Sequence, residues 1–472
     1  MAVNETTQTM LPTGRVAEPD QPPVDGSAPP QGRPAQFRWS LGFVGMLAYL
    51  VVEYMRLSAQ YQFLLPLQVG KVVIAICFLG WAVAPRVSGK RPAVRLVDVT
   101  MACLVFVTFL SASFARSQES AWTTFFDLFR WALIYFLIGR IVVSSWRQRV
   151  FVFLLLLLNL KMAQAAIRGF IAAKAFGRSA EFLAGMGVGA GSVGFFSNAG
   201  DFGVAMCVVW PLAGVLILGE SKKIPRAVLL VFFLAFSGAI IVCGSRGAVV
   251  GAVIAALAAW ARNPRRLGAA ALFLLFVPGL IYVLPEASKA RFRSALHWEE
   301  DRTASFRVEL WRAGLRMFRD HPLLGVGPGN FPPSYSLSYA KPGEDPAGWA
   351  PHSIYVQALS ELGVAGTIPV LLLFLGCFRL NAQTRKHLGK QGAEKRRSFD
   401  YFLALGLDMA LVGYLVSGAF LTVLYYPHLW VILGMSVGLH TAITAKPVGE
   451  YGLATEPAGR SLALAGSYQE GH

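Results

Sequence analysis

Three separated positions in the 472-residue sequence carry side chains suited to chemistry on an anionic substrate. Arg246 stands within the glycine-flanked segment 244–247 (GSRG), Arg307 opens a basic segment, and His352 precedes a long apolar stretch. A guanidinium can contact two oxygen atoms of a diphosphate at once, which a lysine cannot match. An imidazole with an ordinary pKa near 6.5 can accept a proton at neutral pH. These residue types favour a site that binds an anion and removes a proton.

Each of these residues also has a structural interpretation. Arg246 could extend to lipid headgroups, and a lone histidine such as His352 is usually structural. The arginines that follow Arg307 are better explained as the charged face of an amphipathic helix on an anionic surface; they are Arg312, Arg316 and Arg319. From the residues alone, the base interpretation and the structural interpretation of His352 carry equal weight.

Motifs for several other chemistries are missing from the sequence. There is no GxxxxGK[ST], D-x-D or H-E-x-x-H motif, so ATP-driven transport and zinc hydrolysis lack their usual sequence support. The segment 325–329 (GVGPG) follows no strand pattern, which predicts a tight structural loop and not a phosphate site. The five cysteines lie in or at the ends of apolar stretches, so neither a disulfide framework nor a zinc site is predicted.

Apolar helices must position the candidate residues. Hydrophobic residues make up 55% of the sequence and charged residues only 15%, against about 25% charged in soluble domains. The sequence therefore predicts an all-α polytopic membrane protein, with about twelve transmembrane helices and one large periplasmic helical loop. The predicted spans are 39–57, 63–84, 96–114, 121–143, 150–172, 200–218, 227–243, 247–261, 267–285, 353–380, 400–421 and 427–444.

The basic residues of the short loops predict an orientation. Alternate loops carry Lys and Arg in excess over Asp and Glu, at 86–95, 147–149, 222–226, 262–266 and 385–397. Such loops lie in the cytoplasm, which places both termini there. Most of the net charge of +17 is then a consequence of topology, and no nucleic-acid partner is needed to explain it.

The same pattern divides the chain into five segments. The first segment, 1–38, is a disordered cytoplasmic tail, and 39–285 contains helices one to nine. The periplasmic loop is 286–352, helices ten to twelve follow in 353–444, and 445–472 is a second cytoplasmic tail. Within the loop, an amphipathic helix is predicted over 305–318, because apolar residues recur at a spacing close to 3.6; they are Phe306, Leu310, Trp311, Leu315 and Phe318. Asp320, His321 and Pro322 are expected to end this helix.

Three stretches in a fixed order resemble the signature region of the bacterial O-antigen ligase and polymerase superfamily. They are 244–251 (GSRGAVVG), 307–331 (RVELWRAGLRMFRDHPLLGVGPGNF) and 351–366 (PHSIYVQALSELGVAG), preceded by the asparagine-containing segment 196–202 (FSNAGDF). Together they cover roughly residues 195 to 370, and the rest of the chain is similar to the family in hydropathy alone.

The resemblance implies a membrane glycosyltransferase of the C type that needs no metal or cofactor, most like an O-antigen ligase. It would act at the periplasmic face of the bacterial inner membrane, among membrane lipids. The implied donor is a polysaccharide on undecaprenyl diphosphate, and the implied acceptor is lipid A-core. Carried over by position, His352 would be the catalytic base for the acceptor hydroxyl. The implied substrate-binding residues are Arg246, Arg307, Arg312, Asn198 and Tyr355.

Other functions stay open at this point. A repeat-unit polymerase and a protein O-oligosaccharyltransferase would share the donor and differ in the acceptor. Charged residues inside predicted spans, such as Glu53 and Asp408, would also suit a non-catalytic transporter of lipid-linked glycan. Ser353 stands where the family often has asparagine. Three further cationic residues could join the site: Lys161, Arg168 and Arg178.

Overall fold

The computed structural model describes residues 39–84, 95–177, 196, 198–262, 302–340 and 349–444, and these contain helices and no strand. The main helices are α1 (Leu41–Met55), α2 (Val69–Val83), α3 (Leu96–Ser113), α4 (Gln118–Ile141), α5 (Ser145–Ala175), α6 (Ala199–Gly219), α7 (Lys223–Cys243), α8 (Arg246–Arg262), α9 (Arg302–Asp320), α10 (Ile354–Lys390), α11 (Phe399–Gly418) and α12 (Pro427–Thr444). The predicted all-α polytopic membrane fold is confirmed.

Each predicted span within the described residues forms a helix, while the ninth span, 267–285, and both tails, 1–38 and 445–472, lie outside them. Among the described helices, seven are long and apolar enough to cross a membrane: α3, α4, α5, α6, α7, α10 and α11. Helices α1 and α2 are shorter, at 15 residues each. They reach about 22 Å at 1.5 Å per residue, against an apolar bilayer core of about 30 Å.

Helix α6 lies at the centre of the bundle. Its residues from Asp201 to Ala213 are all buried, and α11 packs against both α6 and α8. Helix α10 packs against α3 and α12 on another side. A helix that is apolar around its whole circumference is typical of such a buried position.

Several charged side chains of the bundle lie in ion pairs. The pairs are Arg140–Asp98 at 2.9 Å, Arg130–Asp127 at 3.3 Å and Arg385–Asp408 at 2.7 Å. The second of these is the pair expected from its helical spacing. Pairing lowers the cost of charge within a membrane protein, so these groups have a structural explanation.

The amphipathic helix α9 ends at Asp320, directly before His321 and Pro322 as predicted, but its buried face differs from the predicted one. Its buried residues are Leu310, Ala313 and Met317, whereas Leu315 is 51% exposed. The reason is that Gly314 brings α9 close to α10, where Val356 leaves no room for a side chain at residue 314. The contact with α10, and not only apolar periodicity, decides which face is buried.

Helix α10 bends at Gly363, whose φ of 60° and ψ of −163° suit glycine alone. The 322–331 loop runs beside this bend. The N–H of Val326 donates to the Ser360 carbonyl at 2.8 Å, and the N–H of Val364 donates to the Pro322 carbonyl at 2.8 Å. These bonds fix the loop after α9 on α10, which supports the structural interpretation of 325–329.

Candidate functional site

The turn between α11 and α12, residues 419–426, contacts the starts of three other helices. The Thr422 hydroxyl accepts a hydrogen bond from the His352 N–H at 2.8 Å, next to α10. The Tyr426 hydroxyl donates to the Asp201 carboxylate at 2.6 Å, in the first turn of α6. At the start of α8, a Cβ on Gly247 would lie 3.4 Å from the Cβ of Phe420. This turn, called the connecting turn below, therefore gathers three segments that are distant in sequence.

The gathered helix starts are capped by side chains. Each cap accepts a backbone N–H of the first turn: Asn198 from Asp201 at 3.0 Å, Ser245 from Ala248 at 3.3 Å, and Ser353 from Val356 at 3.5 Å. A helix start carries a partial positive charge from its aligned peptide dipoles. The buried Asp201 carboxylate already occupies the first turn of α6, so the starts of α8 and α10 are the helix ends at the connecting turn that favour a further anion.

Arg246 is the first residue of α8 and is half-buried beside the buried Gly247. Helix α7 ends at Gly244, which has a φ of 61° and allows the chain to reverse before α8 begins. This break lies between the predicted seventh and eighth spans. It places a guanidinium at the positive end of α8.

His352 is half-buried immediately before the Ser353 cap of α10 and has a φ of 46°. Burial, and then the charge of Arg307, lowers the pKa of His352 from 6.5 to about 4. The imidazole is therefore neutral at pH 7 and has a lone pair available for a proton. The charge of Arg307 therefore acts on the His352 imidazole.

Helix α9 separates its two candidate arginines. Arg307 is half-buried and acts on His352, whereas Arg312 is exposed. Five residues along a helix correspond to about 140° of rotation, so the two side chains leave α9 in different directions. Of the two, Arg307 is therefore the one whose charge acts on His352, and Arg312 lies on the exposed side of α9.

Asn198 and Tyr355 both make structural hydrogen bonds. Asn198 caps α6, and its amide also donates to the Asp201 carboxylate at 3.2 Å. Tyr355 is 39% exposed, and its hydroxyl donates to the Leu415 carbonyl at 3.1 Å. Tyr355 also lines an apolar cavity of about 220 Å³ along α10, to which Leu424 of the connecting turn contributes.

The three further cations are placed differently. Lys161 and Arg168 are exposed on α5, where the Lys161 Nζ lies 3.3 Å from the Met55 sulfur. Arg178 lies outside the described residues. Within the described part of the chain, no group of three or more His, Cys, Asp or Glu side chains is placed to hold a metal ion.

The connecting turn and the residues that hold it were not predicted from the sequence as parts of the site. Besides Thr422 and Tyr426, these include Tyr425 and the buried Glu361 of α10. The available signal was the polar triplet Tyr425-Tyr426-Pro427 between two apolar spans. A tyrosine pair at a span end is also common at membrane interfaces, so the signal alone did not point to a site.

The comparison with protein families adds an independent observation. Residues 230–371 match the O-antigen ligase family, and this segment includes Arg246, Arg307 and His352. No curated protein matches the chain. The matched segment runs from within α7 into α10 and therefore contains two of the three helix starts that meet at the connecting turn. Over this segment the chain is similar to the O-antigen ligase family, in agreement with the resemblance of its sequence motifs.

Proposed function

We propose that the protein is an O-antigen ligase, which transfers a polysaccharide from undecaprenyl diphosphate to lipid A-core at the periplasmic face of the bacterial inner membrane. The family match supports an activity of the O-antigen ligase or polymerase type. The observation that carries the proposal is the convergence at the connecting turn of the half-buried Arg246, the positive starts of α8 and α10, and a neutral His352 on which the Arg307 charge acts.

The proposed reaction needs a base and a stabilised leaving group. The neutral imidazole of His352 removes the proton from the acceptor hydroxyl as the oxygen attacks the anomeric carbon. The bond between that carbon and the diphosphate oxygen breaks with its electron pair, which leaves undecaprenyl diphosphate. Arg246 and Arg307 neutralise the negative charge that develops on this oxygen. The proton on His352 then returns to solvent.

The helix ends strengthen this arrangement. A diphosphate carries more than one negative charge, and each helix start contributes roughly half a positive charge near its first turn. Half-buried arginines act through a lower effective dielectric constant than exposed ones. The cavity beside Tyr355 offers an apolar surface for the isoprenoid chain of the donor; its lining begins at Ile354, two residues after His352, and continues along α10 to Phe374.

A transfer assay with defined lipids tests the proposal. Purified protein is incubated without nucleotide with a polyprenyl-diphosphate oligosaccharide and lipid A-core, and the product is identified by mass spectrometry. We expect glycan on lipid A-core, and a loss of at least about 100-fold in His352→Ala, because general base catalysis contributes that much. His321→Ala is the matched control, since His321 is exposed beyond α9.

The outcomes separate the competing functions. Transfer onto a second lipid-linked oligosaccharide, with none onto lipid A-core, would identify a polymerase, and transfer onto a serine-containing protein would identify an oligosaccharyltransferase. Movement of the donor across vesicle membranes without any new glycosidic bond would favour the transporter. Near-normal turnover by His352→Ala would remove the assigned base.

A further inference from the structure

We propose that Glu361 is a positioning residue, whose carboxylate holds the loop after α9 and the connecting turn in the relative positions that bring Arg307 and His352 together. The role of these two residues in transfer rests on the function proposed above. Glu361 itself contacts neither of them through any described hydrogen bond.

Glu361 is buried in α10, with 1% of its surface exposed. Its side chain accepts hydrogen bonds from the Tyr425 hydroxyl at 3.0 Å, the Gln357 amide at 3.3 Å and the Phe331 N–H at 3.4 Å. The N–H of Gly329 also donates to it. A buried acidic side chain needs such partners, and here they come from three segments of the chain.

One pair of partners holds the connecting turn. Tyr425 belongs to this turn, and Gln357 reaches the same turn because its side-chain oxygen accepts the Leu424 N–H at 3.2 Å. Two residues before Leu424, the Thr422 hydroxyl accepts the N–H of His352. His352 has a positive φ, a conformation that costs energy outside glycine and needs support from its surroundings. Glu361 therefore supports the backbone of the base through the turn.

The other pair of partners holds the segment that follows α9. Gly329 and Phe331 lie in the loop bound to α10, and the Phe331 ring packs in the cluster that contains Leu310 and Met317 of α9. Leu310 lies one turn after Arg307 on the same helix. A change in the position of residues 329–331 is thus transmitted to the helix that carries Arg307. The Glu361 side chain therefore contacts both the connecting turn and the loop that follows α9.

The chemistry of the four partners explains why a carboxylate is required. All four donate a proton, and both carboxylate oxygens accept: Oε1 from the Phe331 N–H, and Oε2 from the Tyr425 hydroxyl and the Gln357 amide. Glutamine has nearly the same shape, but its NH₂ group would face donors in place of an acceptor oxygen. At least one buried N–H or O–H would lose its partner, and the groups would separate. Glu361→Gln is therefore a change in hydrogen bonding with little change in volume.

The test compares Glu361→Gln with Asp408→Asn. Asp408 is also a buried carboxylate, 3% exposed, but it pairs with Arg385 more than two helical turns from the connecting turn. Both variants are purified as full chains, and kcat and KM for the polyprenyl-diphosphate donor are measured per folded protein. We expect Glu361→Gln to lower kcat about tenfold or more with a smaller change in KM, because misplacement of aligned groups reduces the rate of the chemical step. Asp408→Asn should lower the unfolding temperature and leave kcat near wild type.

Equal kcat values for Glu361→Gln and the wild type would overturn the positioning role, as would an equal loss in Asp408→Asn. If Glu361→Gln does not fold, Tyr425→Phe removes one donor and retains the carboxylate. A normal kcat in Tyr425→Phe would then overturn the inference, and a reduced kcat with normal KM would support it. A wild-type protein that transfers glycan to no acceptor would instead refute the proposed function, whatever the behaviour of residue 361.

Discussion

Replacement of Arg307 by glutamine is expected to move the acidic limb of the pH–rate profile to higher pH. The proposed base works only while its imidazole is neutral, so activity falls as the pH drops through the pKa of His352. Burial is the larger cause that lowers this pKa to about 4, and the charge of Arg307 is the second. Removal of that charge raises the pKa, but it should stay below 6.5 because the burial remains.

The replacement of Arg307 should change the neutral fraction of His352 most strongly near pH 5. With a pKa of about 4, roughly nine-tenths of the imidazole is neutral at pH 5. A rise of one pKa unit would leave about half of it neutral, and this corresponds to about 1.4 kcal/mol of lost interaction with the Arg307 charge. The ratio of kcat/KM at pH 5 to that at pH 7 should therefore fall clearly in Arg307→Gln.

The assay measures initial rates of transfer between pH 4.5 and 8, first at low donor concentration. Under this condition kcat/KM reports the free enzyme, whereas kcat reports the donor complex. A bound diphosphate neutralises Arg307, so the wild-type limb in kcat should lie at higher pH than the limb in kcat/KM, and Arg307→Gln should reduce this difference. Arg319→Gln is the control, because the Arg319 side chain is 79% exposed. A wild-type limb near pH 6.5, or an unchanged limb in Arg307→Gln, would refute the electrostatic reasoning.

Two further predictions concern local structure. Gly363→Ala should destabilise the protein by about 1–3 kcal/mol or more, because residue 363 has a positive φ and a Cβ would overlap the Leu323 carbonyl. Thermal unfolding in detergent measures this loss of stability. Gly70→Ala is the control and should not destabilise the protein, because a Cβ at residue 70 would meet nothing within 4 Å. Ser353→Ala should cost about 1 kcal/mol through loss of the α10 cap, whereas Ser353→Asn should unfold near the wild-type temperature. An equal loss in both Ser353 variants would contradict the capping role.

Features that depend on nearby residues were predictable from the sequence. The length of the apolar stretches predicted the helices of the bundle, including the separate spans 227–243 and 247–261 that correspond to α7 and α8. Pro322 gave the end of α9. Each of these depends on a few consecutive residues, because chain reversal and helix termination are local backbone properties.

Features that depend on distant contacts were not predictable in this way. Periodicity placed Leu315 on the apolar face of α9, but the small Ala313 and Gly314 allow close packing on α10 and turn Leu315 outward. The connecting turn was missed for the same reason. Its partners, His352, Asp201 and Glu361, lie between 64 and 225 residues away in the sequence. The residue pattern of a turn does not predict which distant segments the turn will contact in the folded protein.

The capping residues explain how one end of the bundle can suit a highly charged ligand with few charged side chains. Asn198, Ser245 and Ser353 each neutralise only part of the donor capacity of a helix start, since four N–H groups there lack partners within the helix. The remaining dipole field requires no buried ion, whereas a third buried arginine would carry a large desolvation cost. The Ser353 position also shows why serine can replace the asparagine common in the family, since both side chains cap helices well. Binding of a diphosphate at this end would therefore depend on helix geometry as much as on Arg246 and Arg307.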